Sequence, residues 1–171
     1  MELAVAVLLG TTTVTSVGMQ FVGGYENALS YQFLATDRSN NNEQLKELKF
    51  RGWVDSVGGY EETESLEKVV LPTSVRFIDE GAYRDCPNLD EIVALGFLQL
   101  IGKEAFKGCS SLRRFVLFAP GSLIGVGANA FSGCPEIQIG VPDITTDQIL
   151  LHLATLFRGG GAEDVSFFAV G

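Results

Sequence analysis

Chemistry-bearing residues are scarce in this chain of 171 residues, which holds one histidine, three cysteines, and 12 Lys and Arg against 21 Asp and Glu. The basic residues form no cluster and the formal net charge is −9. A phosphate backbone needs several cations gathered on one face, so nucleic acid is excluded as a partner. No stretch reaches about 18 uncharged apolar residues, so no transmembrane segment is expected. A P-loop, a G-x-G-x-x-G after a strand, H-E-x-x-H, G-x-S-x-G and a calcium loop are all missing. The adjacent carboxylates Glu61 and Glu62 sit in the polar turn "GGYEETES" and read as solvated rather than as an acid and base pair. No enzyme activity, cofactor or metal is expected.

What is present is apolar content, 46% of residues against 19% charged, enough for one domain with a sizeable core. The N-terminal "MELAVAVLLG" has the apolar core of a signal peptide, but Glu2 stands where Lys or Arg belongs, and the run reads as a strand. Cys86, Cys109 and Cys134 are separated by 23 and 25 residues, neither a C-x-x-C nor a zinc spacing, and their odd number does not make a disulfide framework. Near-equal spacing instead marks one place in a repeated unit.

Overlaying "IDEGAYRDCPNLDEIVA" (78–94), "IGKEAFKGCSSLRRFVL" (101–117) and "VGANAFSGCPEIQIGV" (126–141) confirms a period. Ile78, Ile101 and Val126 align, as do Ala82, Ala105 and Ala130, then Tyr83, Phe106 and Phe131, then the cysteines, then Leu89, Leu112 and Ile137. Small residues fall on small and aromatic on aromatic, the sign of a stacked architecture. These fifteen positions are the expected repeat core. The unit closely resembles the BspA-type leucine-rich repeat, in which S-V-x-x-I-G-x-x-A-F-x-x-C-x-x-L-x-x-I recurs roughly every 23 residues. The matching residues include "LPTSVRFIDEGAYRDCPNLDEI" (71–92).

The resemblance implies an α/β repeat solenoid, a right-handed coil with a parallel β-sheet face and short helical or 3-10 turns. It covers 1–141, most closely at 71–141, and 142–171 is read as a C-terminal cap helix and terminal strand. Upstream, "LEKVVL" (66–71), with Tyr60 six residues before Leu66, and "LKELKF" (45–50) keep the L-x-x-V-x-L spacing. "VTSVG" (14–18) matches the start of a unit, Ala28, Tyr31 and Phe33 its strand positions, and "LAVAVL" (3–8) one more strand. Only 17 residues separate Ala28 from Leu45, so one early rung is expected to be degenerate or replaced by a loop.

Within the unit, alanine is expected where coils pass closely, the aromatic in the interior, and cysteine, small and readily buried, under the turn. Past Val141 the period becomes helical: "TTDQILLHLATLF" (145–157) opens with Thr145 and has Gln148 three residues on, a capping-box spacing, and "GGG" (159–161) ends it. Leu151 and Ala154 widen its apolar face toward burial on two sides, and His152 reads as a packed residue with a polar tip.

Two outward columns are expected on the sheet. Position three of each strand reads Glu47, Lys68, Glu91, Arg114, a charge ladder of alternating sign, and position five reads Lys49, Val70, Val93, Val116, an apolar stripe. The expected function is non-enzymatic protein binding or scaffolding through this face. The alternative is a structural subunit docking end-on through the N-terminal strand or the C-terminal helix. Similar proteins are often displayed at cell surfaces, whereas the lack of a signal peptide favours the cell interior.

Overall fold

The computed structural model describes strands at 4–8, 19–22, 31–35 and 45–50 and the chain continuously from 54 to 170. "VTSVG" (14–18) and Ala28 lie outside the described residues. The chain forms a parallel β-solenoid of about four turns with one helix at its C-terminal end. Its longer strands, β1 (Ala4–Leu8), β4 (Leu45–Phe50), β6 (Lys68–Leu71), β8 (Glu91–Ala94), β10 (Arg114–Leu117), β12 (Ile137–Pro142) and β13 (Val165–Val170), pair in that order into one all-parallel sheet. The short strands β5 (Ser56–Gly58), β7 (Phe77–Ile78), β9 (Leu100–Ile101) and β11 (Gly125–Val126) form a second sheet. It is extended by β3 (Tyr31–Ala35) and by β2 (Met19–Val22), which pairs antiparallel with β3.

One expectation upstream changes. Tyr31 and Phe33 do not supply a rung of the longer sheet: β3 joins the second sheet beside β5, and β1 pairs directly with β4. The short interval before Leu45 is therefore accommodated by omitting a long strand between β1 and β4. Residues 4–8 of the "LAVAVL" segment do lie in the longer sheet, as its outermost strand among the described residues.

Each coil is too thin to bury an apolar face alone, so the interior is built between coils. Tyr60, Tyr83, Phe106 and Phe131 stack with near-parallel rings at centroid separations of 5.3, 5.4 and 5.5 Å. Phe157 of helix α1 (Asp147–Gly159) continues the column at 4.6 Å from Phe131. Phe115 meets Phe106, Phe131 and Phe157 edge-on. Offset and edge-on ring pairs each add about 0.5–1.5 kcal/mol beyond area burial.

The turn holding these rings is laced from coil to coil by main-chain hydrogen bonds. The amides of Tyr60, Tyr83, Phe106 and Phe131 donate to the carbonyls of Ala82, Ala105, Ala130 and Gly160, each at 2.8 Å. The carbonyls of Tyr60, Tyr83 and Phe106 in turn each accept a bond from a cysteine of the next coil. Cys86 Sγ donates to the Tyr60 carbonyl at 3.1 Å, Cys109 Sγ to Tyr83 at 3.0 Å and Cys134 Sγ to Phe106 at 3.2 Å. In the coil of Tyr60 the matching position is Thr63, buried, whose hydroxyl donates to the Tyr60 carbonyl at 2.7 Å. Alanine at 82, 105 and 130 is fully buried at the point where its carbonyl bonds the preceding coil.

Two left-handed residues shape each turn. One site is Gly81, Glu104 and Asn129, the other Glu62, Asp85, Gly108 and Gly133, all with φ between 55° and 82°. Glu104 tolerates the geometry while its carboxylate meets Lys107 at 3.3 Å and Arg84 at 3.5 Å, contacts that hold the carboxyl below its usual range.

Helix α1 takes the place of the next short strand beyond β11. Its N-cap is Thr146, whose hydroxyl accepts from the Ile149 amide at 3.4 Å, rather than Thr145, whose hydroxyl donates to the Pro142 carbonyl. Leu153, Ala154 and Phe157 are buried, but Leu151 is 69% exposed, so the helix buries one side only. Val126 is half-buried, unlike its repeat partners Ile78 and Ile101, since its outer neighbour is this helix and not another strand. The tail is the edge strand β13.

Three outcomes follow from this packing. Ala105→Leu should destabilise the fold by about 1–3 kcal/mol in a urea titration, whereas Lys107→Leu on the surface should stay within about 0.5 kcal/mol. A thiol reagent should label Cys86, Cys109 and Cys134 slowly in the native state and rapidly in denaturant; fast native labelling of one would contradict its burial. Burial also pushes the Cys134 thiol from its ordinary 9.0 up to about 12, and a hydrogen bond with Cys86 together with burial raises Cys109. Folded-state values above unfolded ones mean the contribution is complete below pH 9 and lost as pH rises. The unfolding free energy from urea titrations should therefore hold from pH 7 to about 8 and fall between pH 9 and about 12, with Cys134 contributing at most about 1.4 kcal/mol per pH unit.

Candidate interaction surface

The outer face of the seven-stranded sheet is built by strand alternation. Leu48, Val69, Ile92 and Phe115 point inward and are fully buried, which turns Glu47, Lys68, Val70, Glu91, Val93 and Arg114 outward. Parallel register then aligns Glu47 with Lys68, Lys68 with Glu91, and Glu91 with Arg114. Lys68 Nζ lies 3.1 Å from one Glu91 oxygen and Arg114 Nη1 lies 3.8 Å from the other. Beside this column, Lys49, Val70, Val93 and Val116 occupy successive rungs.

Val70 and Val93 are half-buried, but Val116, expected on the open face, is only 4% exposed. The cause lies two strands away. Val116 pairs with Gly140, which pairs with Phe168 of β13. Gly140 has no side chain, so the Phe168 ring leans across it; a Cβ there would lie 2.7 Å from that ring and 3.1 Å from a Val116 methyl. Arg114 stacks its guanidinium on the same ring, 4.8 Å from the centroid. Phe168 thus roofs the end of the valine column.

A third outward column was missed in the sequence. The ladder runs one residue past the strands, with the Leu95 amide donating to Leu71 at 3.1 Å and the Phe118 amide to Ala94 at 3.2 Å. Leu71, Ala94 and Leu117 point inward, so Pro72, Leu95, Phe118 and Pro142 follow the valines on the outer face. Leu95 is 42% and Phe118 45% exposed. Extending L-x-x-I-x-L by one position would have revealed them. The apolar band is therefore two columns wide.

On its other side the band is bounded by the charges and then by a rim where Lys46 meets Glu67 at 2.7 Å. There an open polar groove of about 490 Å³ is lined by Glu67, Lys68, Asn88, Asp90, Glu91, Ser111 and Arg113. Among the described residues no group of three His, Cys, Asp or Glu side chains could hold a metal ion. His152 is exposed, with Nε2 3.0 Å from the Leu123 carbonyl. Among the described residues no helix is long and apolar enough to cross a membrane.

Similar proteins carry the same architecture. A leucine-rich repeat protein from Bacteroides ovatus superposes with a TM-score of 0.59 at 22% identity, over 98% of this chain and 42% of that one. A leucine-rich cell surface protein from Faecalibacterium prausnitzii superposes with a TM-score of 0.56 at 16% identity, over 87% of this chain and 38% of that one. The chain thus spans less than half the length of either. No curated protein matches it. The family model for the BspA-type leucine-rich repeat region matches residues 38–147 in six copies. With its thiol-laced coils and that match over most of its length, the chain belongs to the BspA-type leucine-rich-repeat family.

Proposed function

We propose that the chain is a non-enzymatic protein-interaction module whose recognition surface is the outer face of the seven-stranded sheet. The observation that carries this reading is the apolar band of Val70, Val93, Leu95 and Phe118, bordered by the charge column Glu47, Lys68, Glu91 and Arg114. Contiguous exposed apolar surface rimmed by charge is typical of a protein-binding site. Charged neighbours add selectivity and orientation more than affinity. The repeat core holds this face rigid, which lowers the ordering cost of binding.

A second reading, end-on assembly, is favoured by Leu151 on helix α1 and by Ile144 just before it, which is 91% exposed. The two readings separate by mutation. Val93→Lys and Leu95→Lys should leave circular dichroism unchanged and stability within about 0.5 kcal/mol, yet abolish photo-crosslinking to partners in native extract. Leu151→Lys should leave crosslinking intact, and the reverse pattern would assign binding to the helix end. Val116→Lys is unsuitable as a surface probe, because it would drive a charge beneath Phe168 and should cost about 2 kcal/mol or more.

A further inference from the structure

The sign pattern of the charged column has a symmetry of its own. Glu47, Lys68, Glu91 and Arg114 stand on four successive rungs, β4, β6, β8 and β10, with signs minus, plus, minus, plus. A column of even length and alternating sign is the opposite of its own reversal. A two-fold axis parallel to the strands, passing between β6 and β8 in front of the face, reverses the order of the rungs and keeps each column facing itself. It sets Glu47 opposite Arg114 of a second copy and Lys68 opposite Glu91. Along the same axis Val70 meets Val93 and Pro72 meets Leu95, so apolar residues meet at the centre of the face, while at its ends position 49, a lysine, comes opposite Val116.

We infer that the occupant of this face is a second copy of the chain, bound face to face with the coil order reversed. The inference rests on the sheet-face reading and names its partner. The ion pairs within one ladder do not exhaust its hydrogen-bonding capacity. Glu91 gives one oxygen to Lys68 and the other to Arg114, while the ammonium has three donors and the guanidinium five, and both are partly exposed. Those donors can take carboxylates from across the axis. The rim sets a limit on closure. Lys46, Glu67, Asp90 and Arg113 read plus, minus, minus, plus, so the same axis brings like toward like there. The net charge of −9 acts in the same direction. The copies close on the inner three columns, and their association is reversible and concentration-dependent.

Sedimentation velocity of the whole chain from about 1 to about 200 µM tests this. The wild type should pass from monomer to dimer across that range. Arg114→Glu alone and Glu47→Arg alone should each weaken dimerisation by about tenfold or more, because each sets two like-charge pairs across the axis. An equimolar mixture of the two should dimerise again as a heterodimer, since every reversed charge then faces its opposite. Lys68→Glu mixed with Glu91→Lys provides the same rescue at the centre of the face, without touching the Arg114 contact to Phe168. A wild type that stays monomeric throughout, or two mixtures that fail to restore the dimer, would overturn self-recognition. If crosslinking to other proteins still depends on Val93 in that case, the sheet-face reading stands by itself. A dimer indifferent to both Val93→Lys and Arg114→Glu would overturn this placement of the contact, and crosslinking that was likewise indifferent to Val93→Lys would remove the sheet-face reading.

Discussion

Tyr60, Tyr83 and Phe106 of the interior column each turn a backbone carbonyl toward the next coil, and the solenoid depends on joining that oxygen to a donor there. An unsatisfied buried carbonyl costs about 1–3 kcal/mol, and the cost would recur at each turn. The thiols of Cys86, Cys109 and Cys134 reach back one coil to meet it. Alanine at these places would fit the volume but remove that donor, leaving the Tyr60 carbonyl only its Thr63 hydroxyl and the Phe106 carbonyl only the Cys109 amide. Cysteine combines a small, readily buried side chain with a weak donor. The thiol is therefore a joint between coils; a hydrogen bond with Cys86 and burial raise Cys109, and burial raises Cys134, which makes these two poor nucleophiles.

With the turn side joined in this way, the sheet side is free to carry surface variation. Backbone pairing sets the register of the long strands, so the outward columns can hold charge in one file and apolar groups in the next two. Lateral ion pairs on such a surface contribute little to stability, about 0–1 kcal/mol each. Their larger consequence is the pattern presented to an approaching molecule. The end of the solenoid is handled differently on its two sides. Helix α1 closes the aromatic column with Phe157, whereas β13 closes the outer face by folding Phe168 over Gly140.

The solved relatives share this architecture at low identity, and both are more than twice as long as the region they share with this chain. Coil-to-coil contacts explain how the fold persists at such identity. Each rung answers only to its neighbours, so the inward columns are constrained while the outward ones can diverge.

The sequence by itself determined the repeat and its inward and charged columns. A residue that meets the same neighbours in every coil must recur at the same period, which makes Ala82, Tyr83 and Cys86 readable beside Ala105, Phe106 and Cys109. Thr63 escaped notice because the cysteine's place is taken there by a hydroxyl that bonds within its own turn instead of back to a preceding coil. What only the tertiary structure decided lies where periodicity stops. Which strand stands beside β4, how far the outward alternation continues to Leu95 and Phe118, and which helix face stays open at Leu151 all depend on neighbours that do not repeat. Val116 shows the reason most directly: its strand position is that of Val93, yet a glycine one strand away and a phenylalanine two strands away bury it.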